Sequence, residues 1–389
     1  MKYNFDEVIS RANTRCAKYD ERIKKFGTDD LIPLWIADMD FKTAQPIIDA
    51  LKNKAEEGIF GYVSRPDSYF EAGCDWQKRR NGWEIDKSLC SFSVGVVPAM
   101  TVMAEIWCKS GSSILIQPPV YGEFYEIVQN SGNHVLTNHL VEKDGKWSVD
   151  WEDFEAKIKK VSMFLFCNPH NPLGIVWKKE EIEKIVNLCA ENDVLLISDE
   201  IHSDLIFHDK KFIPTATVSD LAKKTVVTCF SATKTFNLAG LQACTVVFPN
   251  NKLKNDFDKW WFSKDIHRNN SFSSVAMEVA YNEGEEWLNQ LLPYISNNFD
   301  FVVEYCNENI PEIKTYAPDA TYLMWLDCRA LNLSNTELEK FMIEKAKLGL
   351  NSGTAFDKNL NGFMRLNVAC PKSVLKQALD QLKKAVDEL

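Results

Sequence analysis

Three short apolar runs in the middle of the chain, Met163-Phe164-Leu165-Phe166, Val194-Leu195-Leu196-Ile197-Ser198 and Thr225-Val226-Val227-Thr228-Cys229-Phe230, constrain the fold more than any other feature. None alternates with polar residues as a half-exposed strand does, so each reads as a strand buried on both faces, the condition of a parallel sheet covered by helices. From about residue 45 to 285 such runs alternate with amphipathic segments of helix length. Lys178 to Asn192, for example, carries Ile182, Ile185, Val186 and Cys189 at helical spacing. This is the α/β pattern, with a mostly parallel sheet. Beyond 285 the pattern changes. A long helix is predicted from Trp287 to Asn309, then a strand over Thr321 to Leu326, a helix over Asn335 to Lys347, a strand over Phe363 to Val368 and a helix over Ser373 to Leu389, which together suit a smaller α+β domain.

The strand-like runs end on chemistry. Thr225–Phe230 leads into Ser231-Ala232-Thr233-Lys234-Thr235-Phe236-Asn237-Leu238-Ala239-Gly240-Leu241, where one lysine stands among small and hydroxylated neighbours. A lysine at the end of a buried strand is badly placed as a solvated charge, and small neighbours leave room for a flat ligand to reach its amine. Asp199 closes the run before it, where a carboxylate is either a satisfied structural group or a functional one. Ser-x-x-Lys alone is a weak signal that also occurs in unrelated serine acyl enzymes.

Further motifs flank these. Cys167-Asn168-Pro169-His170-Asn171-Pro172-Leu173-Gly174 follows the first run. In Ser93-Val94-Gly95-Val96-Val97-Pro98-Ala99-Met100 a glycine turn leads into a helix start with proline expected at the first helical position, and free amides there suit a phosphate. Gln117-Pro118-Pro119-Val120-Tyr121 presents a tyrosine on a stiff loop. With Trp35-Ile36-Ala37-Asp38-Met39-Asp40-Phe41 and Ala320-Thr321-Tyr322-Leu323-Met324-Trp325-Leu326-Asp327, these motifs resemble, over essentially the whole chain, the cystathionine β-lyase branch called the MalY/PatB type, within the class I/II aminotransferase superfamily of fold type I pyridoxal-phosphate enzymes.

The resemblance implies a cofactor, pyridoxal 5'-phosphate, and a role for each matching residue. Lys234 bonds the cofactor aldehyde, and Ser231, Thr233 and the Val96 and Val97 helix start surround the phosphate. Asn171 donates to the phenolate oxygen, Asp199 keeps the pyridine nitrogen protonated so the ring can accept electrons, and Tyr121 stacks on the ring. His202, three residues after Asp199, stands where many aminotransferases have a tyrosine, and reads equally as a packing histidine. Arg365 holds the substrate carboxylate, with Ala37 beside it; by pattern alone an arginine reaching water from a strand is as good a reading. Tyr62, in Phe60-Gly61-Tyr62, reaches the phosphate of a neighbouring subunit, which implies a homodimer. The resemblance also folds the amino-terminal segment back, giving a large cofactor-binding domain over 45–285 and a discontinuous small domain over 1–44 and 286–389. Departures are Tyr19 where tryptophan is expected, Val94 where proline is frequent, and Gln242 where many aminotransferases of this fold have a phosphate-binding arginine eight residues after the lysine.

Composition narrows the partners. With 55 acidic against 45 basic residues, the net charge of -10 argues against nucleic acid. No apolar run reaches membrane-spanning length, and the amino terminus lacks a signal-peptide core. Eleven cysteines without Cys-x-x-Cys read as reduced thiols of a cytoplasmic protein, and six histidines show no metal-ligand spacing. Lys78-Arg79-Arg80 reads as a solvated helix face. Three functions follow from the resemblance: a carbon–sulfur β-lyase acting on cystathionine, cysteine or related S-substituted cysteines, which Gln242 favours; an aminotransferase using the same residues; and a regulatory protein that keeps the cofactor without turnover.

Overall fold

In the computed structural model, which describes residues 2–389, the three apolar runs lie side by side. They belong to a seven-stranded sheet made of β1 (Cys90–Ser93), β2 (Ser113–Ile116), β3 (His134–Thr137), β4 (Met163–Cys167), β5 (Leu195–Asp199), β6 (Val226–Phe230) and β7 (Cys244–Val247), in the order β1-β7-β6-β5-β4-β2-β3. Only β7 runs against the others, antiparallel to both β1 and β6. Alternation along β4 divides the core. Phe164 and Phe166 pack on one face with Ile182, Ile185 and Val186 of the helix Lys179–Glu191, while Met163, Leu165 and Cys167 pack on the other with Ala99, Met100 and Met103 of the helix Val96–Trp107.

Two local readings are corrected. Pro98 is the third residue of its helix, not the first; any position in the first turn tolerates proline, because those amides lack internal partners. Lys78-Arg79-Arg80 forms the last turn of the helix Asp67–Asn81, where cations complement the helix dipole. It is not wholly solvated, since Arg80 pairs with Glu285 at 3.3 Å and approaches the buried Asp204 at 4.0 Å.

A second, antiparallel sheet has the order Lys314–Thr315, Leu323–Asp327, Phe363–Asn367, Asn351–Ser352. The expected strand from Thr321 begins only at Leu323 because Thr321 takes a left-handed φ of 70°, and the helix Asn335–Glu344 stops short of Lys347, whose φ is 54°. The amino-terminal segment is sewn to this sheet. Asn367 N donates to Leu34 O at 3.0 Å and Asp40 N to Ala369 O at 2.9 Å, while Ile32–Pro33 pairs in parallel with Leu348–Gly349 as a separate two-stranded sheet. Among the described residues, no helix is long and apolar enough to cross a membrane, and no group of three or more His, Cys, Asp or Glu could hold a metal.

Candidate active site

The carboxyl ends of β1, β2, β4, β5 and β6 surround a cavity of 480 Å³, walled on the far side by residues 35–37 and by Asn351 and Arg365 of the second sheet. Ligands collect at such strand ends because the loops there converge without closing the sheet. Of the residues singled out in the sequence, Ala37, Val96, Val97, Tyr121, Asn171, Asp199, His202, Thr233, Lys234 and Arg365 line this cavity. Ser231 sits just outside it. Ser231 caps the short helix Ala232–Thr235, accepting from Thr233 N at 3.1 Å, and its Oγ lies 2.7 Å from Ala243 O. Tyr62 is not brought to the cavity. It is 96% exposed, in an irregular stretch with Ile59 and Phe60, its ring 5.9 Å from the Arg268 guanidinium.

Asp199 and Arg365 are buried and Lys234 is half-buried, and all three are poorly paired. Asp199 is 6% exposed, and its carboxylate accepts a single hydrogen bond, from Ile201 N at 3.1 Å. Burial pushes its carboxyl up to about 6, although Ile201 N and the Lys234 charge pull the other way. Lys234 Nζ donates to Ala37 O at 2.6 Å, and burial brings its amine down to about 8. Arg365 is 2% exposed with no carboxylate within ion-pair distance. It donates from Nη2 to Trp35 O at 2.7 Å and from Nη1 to Asn171 Oδ1 at 3.2 Å, while Nε has no partner; burial lowers it to about 10. His202 is held down to about 3 by burial, with Lys234 and Arg365 adding to it, so its ring is neutral; Nδ1 is unpartnered and the ring lies edge-on to Tyr322 at 6.2 Å.

This pattern fits pyridoxal phosphate. A buried carboxylate with a single hydrogen bond suits a protonated ring nitrogen. A half-buried amine of lowered basicity suits an aldehyde, and a buried guanidinium without a counter-ion suits a carboxylate. The first-turn amides of Val96 and Val97, with the Thr233 hydroxyl, supply anion-binding groups.

Several residues that shape the wall carry no periodic signal in the sequence. Tyr322 Oη donates to Ala37 O at 2.8 Å, the oxygen that also accepts from Lys234. Asn367 Nδ2 lies 2.6 Å from both Ile36 O and Asp38 O, and Asn237 holds Met39 through both its N–H and its carbonyl. Below this segment, Arg11 contacts Asp38 at 2.6 Å and Asp40 at 2.5 Å, and the fully buried Lys18 contacts Asp40 at 2.9 Å and Asp38 at 3.3 Å. Tyr322, Asp38, Trp35 and Asn237 stand in motifs quoted above; what Asn237 and Asn367 do, bonding their side-chain amides to backbone atoms far away in sequence, no local pattern marks.

Residues 29–382 match the family described as aminotransferase class I and II. The chain is 40% identical to cystathionine beta-lyase PatB of Bacillus subtilis, over 98% of this chain and 100% of that protein. Among solved structures, a PLP-bound protein of Clostridium difficile 630, provisionally named an aminotransferase, is 45% identical with a TM-score of 0.97, covering 99% of this chain and 100% of that one. The PLP-bound C-S lyase of Staphylococcus hominis is 30% identical with a TM-score of 0.92, covering 99% of this chain and 98% of that one.

Proposed function

The chain belongs to the aminotransferase class I and II family, and from that premise we propose that it is a pyridoxal-phosphate-dependent carbon–sulfur β-lyase. It converts L-cystathionine, L-cysteine or related S-substituted cysteines into a thiol, pyruvate and ammonia. The observation that carries this reading is the full-length likeness to a cystathionine β-lyase. The exposed Gln242 on the cavity wall, where an arginine would mark the main aminotransferase group, supports it.

When bound, the cofactor supplies an electron sink for the pair left when a bond at Cα breaks. The chain's residues do the rest. Arg365 binds the substrate carboxylate in its fork and so fixes the direction of the Cα proton. Lys234, whose basicity burial has tuned close to neutral pH, takes that proton on Nζ. With the cofactor bound, Asp199 would keep a proton on its ring nitrogen, Asn171 and Tyr121 would orient it, and the neutral His202 would add no charge. Val96, Val97, Ser231 and Thr233 serve the phosphate end.

The large unit spans 45–285 and the small one 1–44 with 286–389. The chain works as a homodimer in which Tyr62 reaches the neighbouring subunit's phosphate; exposed Ile59 (78%), Phe60 (59%) and Tyr62 in one stretch support this. The eleven unbridged cysteines suit the reducing cytoplasm.

The deciding experiment incubates the cofactor-loaded protein with L-cystathionine alone. Homocysteine, pyruvate and ammonia in equal amounts are expected without any keto acid. No pyruvate from any sulfur amino acid, together with amino-group exchange that depends stoichiometrically on a keto acid, would replace the lyase with the aminotransferase. Full activity in a species that sediments as a monomer would remove the dimer.

A further inference from the structure

The reaction assigns a role to every charged group lining the cavity except one. Glu123 opens the helix Glu123–Asn130 two residues after Tyr121, lines the same cavity and is exposed to solvent, and its carboxylate makes no ion pair or hydrogen bond with a described residue. Its loop is fastened to the turn that follows Asn351. Val120 N donates to Phe356 O at 3.1 Å, and a Cβ on Gly122 would lie 2.9 Å from Ala355 O. Asn351, also on the cavity wall, donates Nδ2 to Trp35 O at 2.9 Å, which leaves its Oδ1 as an acceptor. Arg365 bonds that same Trp35 carbonyl, so this is the end of the cavity that receives the substrate.

With the substrate carboxylate on Arg365 and the reacting carbons at Lys234, the group on sulfur has to run outward toward solvent. It meets a free carboxylate and a free amide oxygen, and the one guanidinium nearby is already engaged. We propose that Glu123 is a specificity-determining residue that reads charge on the sulfur substituent: it favours cysteine S-conjugates whose substituent bears an ammonium group over neutral ones, and disfavours anionic ones. This rests on the lyase reading and adds the class of substituent to it.

Three cysteine conjugates of similar size separate charge from shape: S-(2-aminoethyl)-, S-propyl- and S-(carboxymethyl)-L-cysteine. The wild-type holoenzyme should release pyruvate from them in that order of kcat/KM, with aminoethyl ahead of propyl by about 3- to 5-fold, as expected of a solvent-exposed charge pair, and the gap should narrow as salt rises. In Glu123→Gln the aminoethyl-to-propyl ratio should fall close to one. An unchanged ratio, or an equal loss on all three substrates, would overturn the proposal. Dissociation constants from the change in visible absorption on adding each conjugate give the same ratio without turnover. Failure to form pyruvate with the charge order kept in binding would therefore sink the lyase reading while leaving Glu123 as the charge reader; pyruvate formed with no charge order would sink Glu123 alone.

Discussion

Arg11, Lys18, Asp38 and Asp40 bring two cations and two anions together, with every cation touching both carboxylates within 3.3 Å. On the other side of the same wall, Asp199, Lys234 and Arg365 share a cavity without one ion pair among them. The consequences for protonation are opposite. Burial works against the charge on Lys18, but Asp40 and Asp38 override it and hold its pKa above the ordinary lysine value; burial works against the charge on Lys234, and nothing close enough overrides it. A cluster that answers its own charges is fastening, since removing one member strands the others. A cluster that leaves them unanswered is a mould for charges that arrive from outside.

If this division holds, substitutions in the two clusters fail in different ways. The largest effect is expected from Lys234→Ala: turnover of L-cystathionine should fall by at least about 10³-fold while thermal unfolding of the cofactor-free protein stays close to wild type. Borohydride reduction followed by peptide mapping should find the cofactor on Lys234 and on no other lysine.

Lys18→Met should instead lower stability by about 3–5 kcal/mol, because two carboxylates lose a buried partner. Urea unfolding at neutral pH reads this directly. A loss under about 1 kcal/mol would mean that Arg11 alone satisfies both carboxylates and that the cluster is not the fastening described.

Arg365→Met sharpens the contrast, since it removes an equally buried cation that has no counter-ion. The KM for L-cystathionine should rise about 10- to 100-fold, in line with the loss of charge-assisted hydrogen bonds, with no loss of stability in the cofactor-free protein.

The smallest effect is a pH dependence. Without cofactor, Asp199 titrates at about 6 in the folded chain against about 4 when unfolded. The folded state thus binds more protons in that window, and this group's contribution falls as pH rises from about 4 to 6. Asp199→Asn should melt above the wild type at pH 7, by an amount that shrinks toward pH 4. Glu200, raised to about 7 by burial, titrates nearby, so the difference between the two proteins is the quantity to follow. With cofactor present the sign should reverse, as the variant loses its partner for the ring nitrogen.

The sequence made the centre of the site legible because short, uninterrupted apolar runs with few helix-favouring neighbours read as buried strands. Those around Asp199 and Lys234 became Leu195–Asp199 and Val226–Phe230, nearly residue for residue. The reversal of Cys244–Val247 left no trace, since a strand's direction follows from its connections and not from its composition. Pairing of two-residue strands such as Ile32–Pro33 is equally silent, being set by partners that a local pattern does not contain. Lys18 was not singled out in the sequence at all; nothing local says that this lysine is fully buried between Asp38 and Asp40.

The wall formed by residues 35–41 also sets an order of assembly. Its fastenings to Asn367 and Ala369 join a part of the chain made early in synthesis to one made late. The strands of the large sheet lie between them and have all been synthesised once residue 247 is made. During translation the scaffold can therefore form around a half-built pocket, while the segment bearing Ala37 waits for a strand that does not yet exist. A nascent chain can hold the groups for the cofactor well before it can close a site around an amino acid.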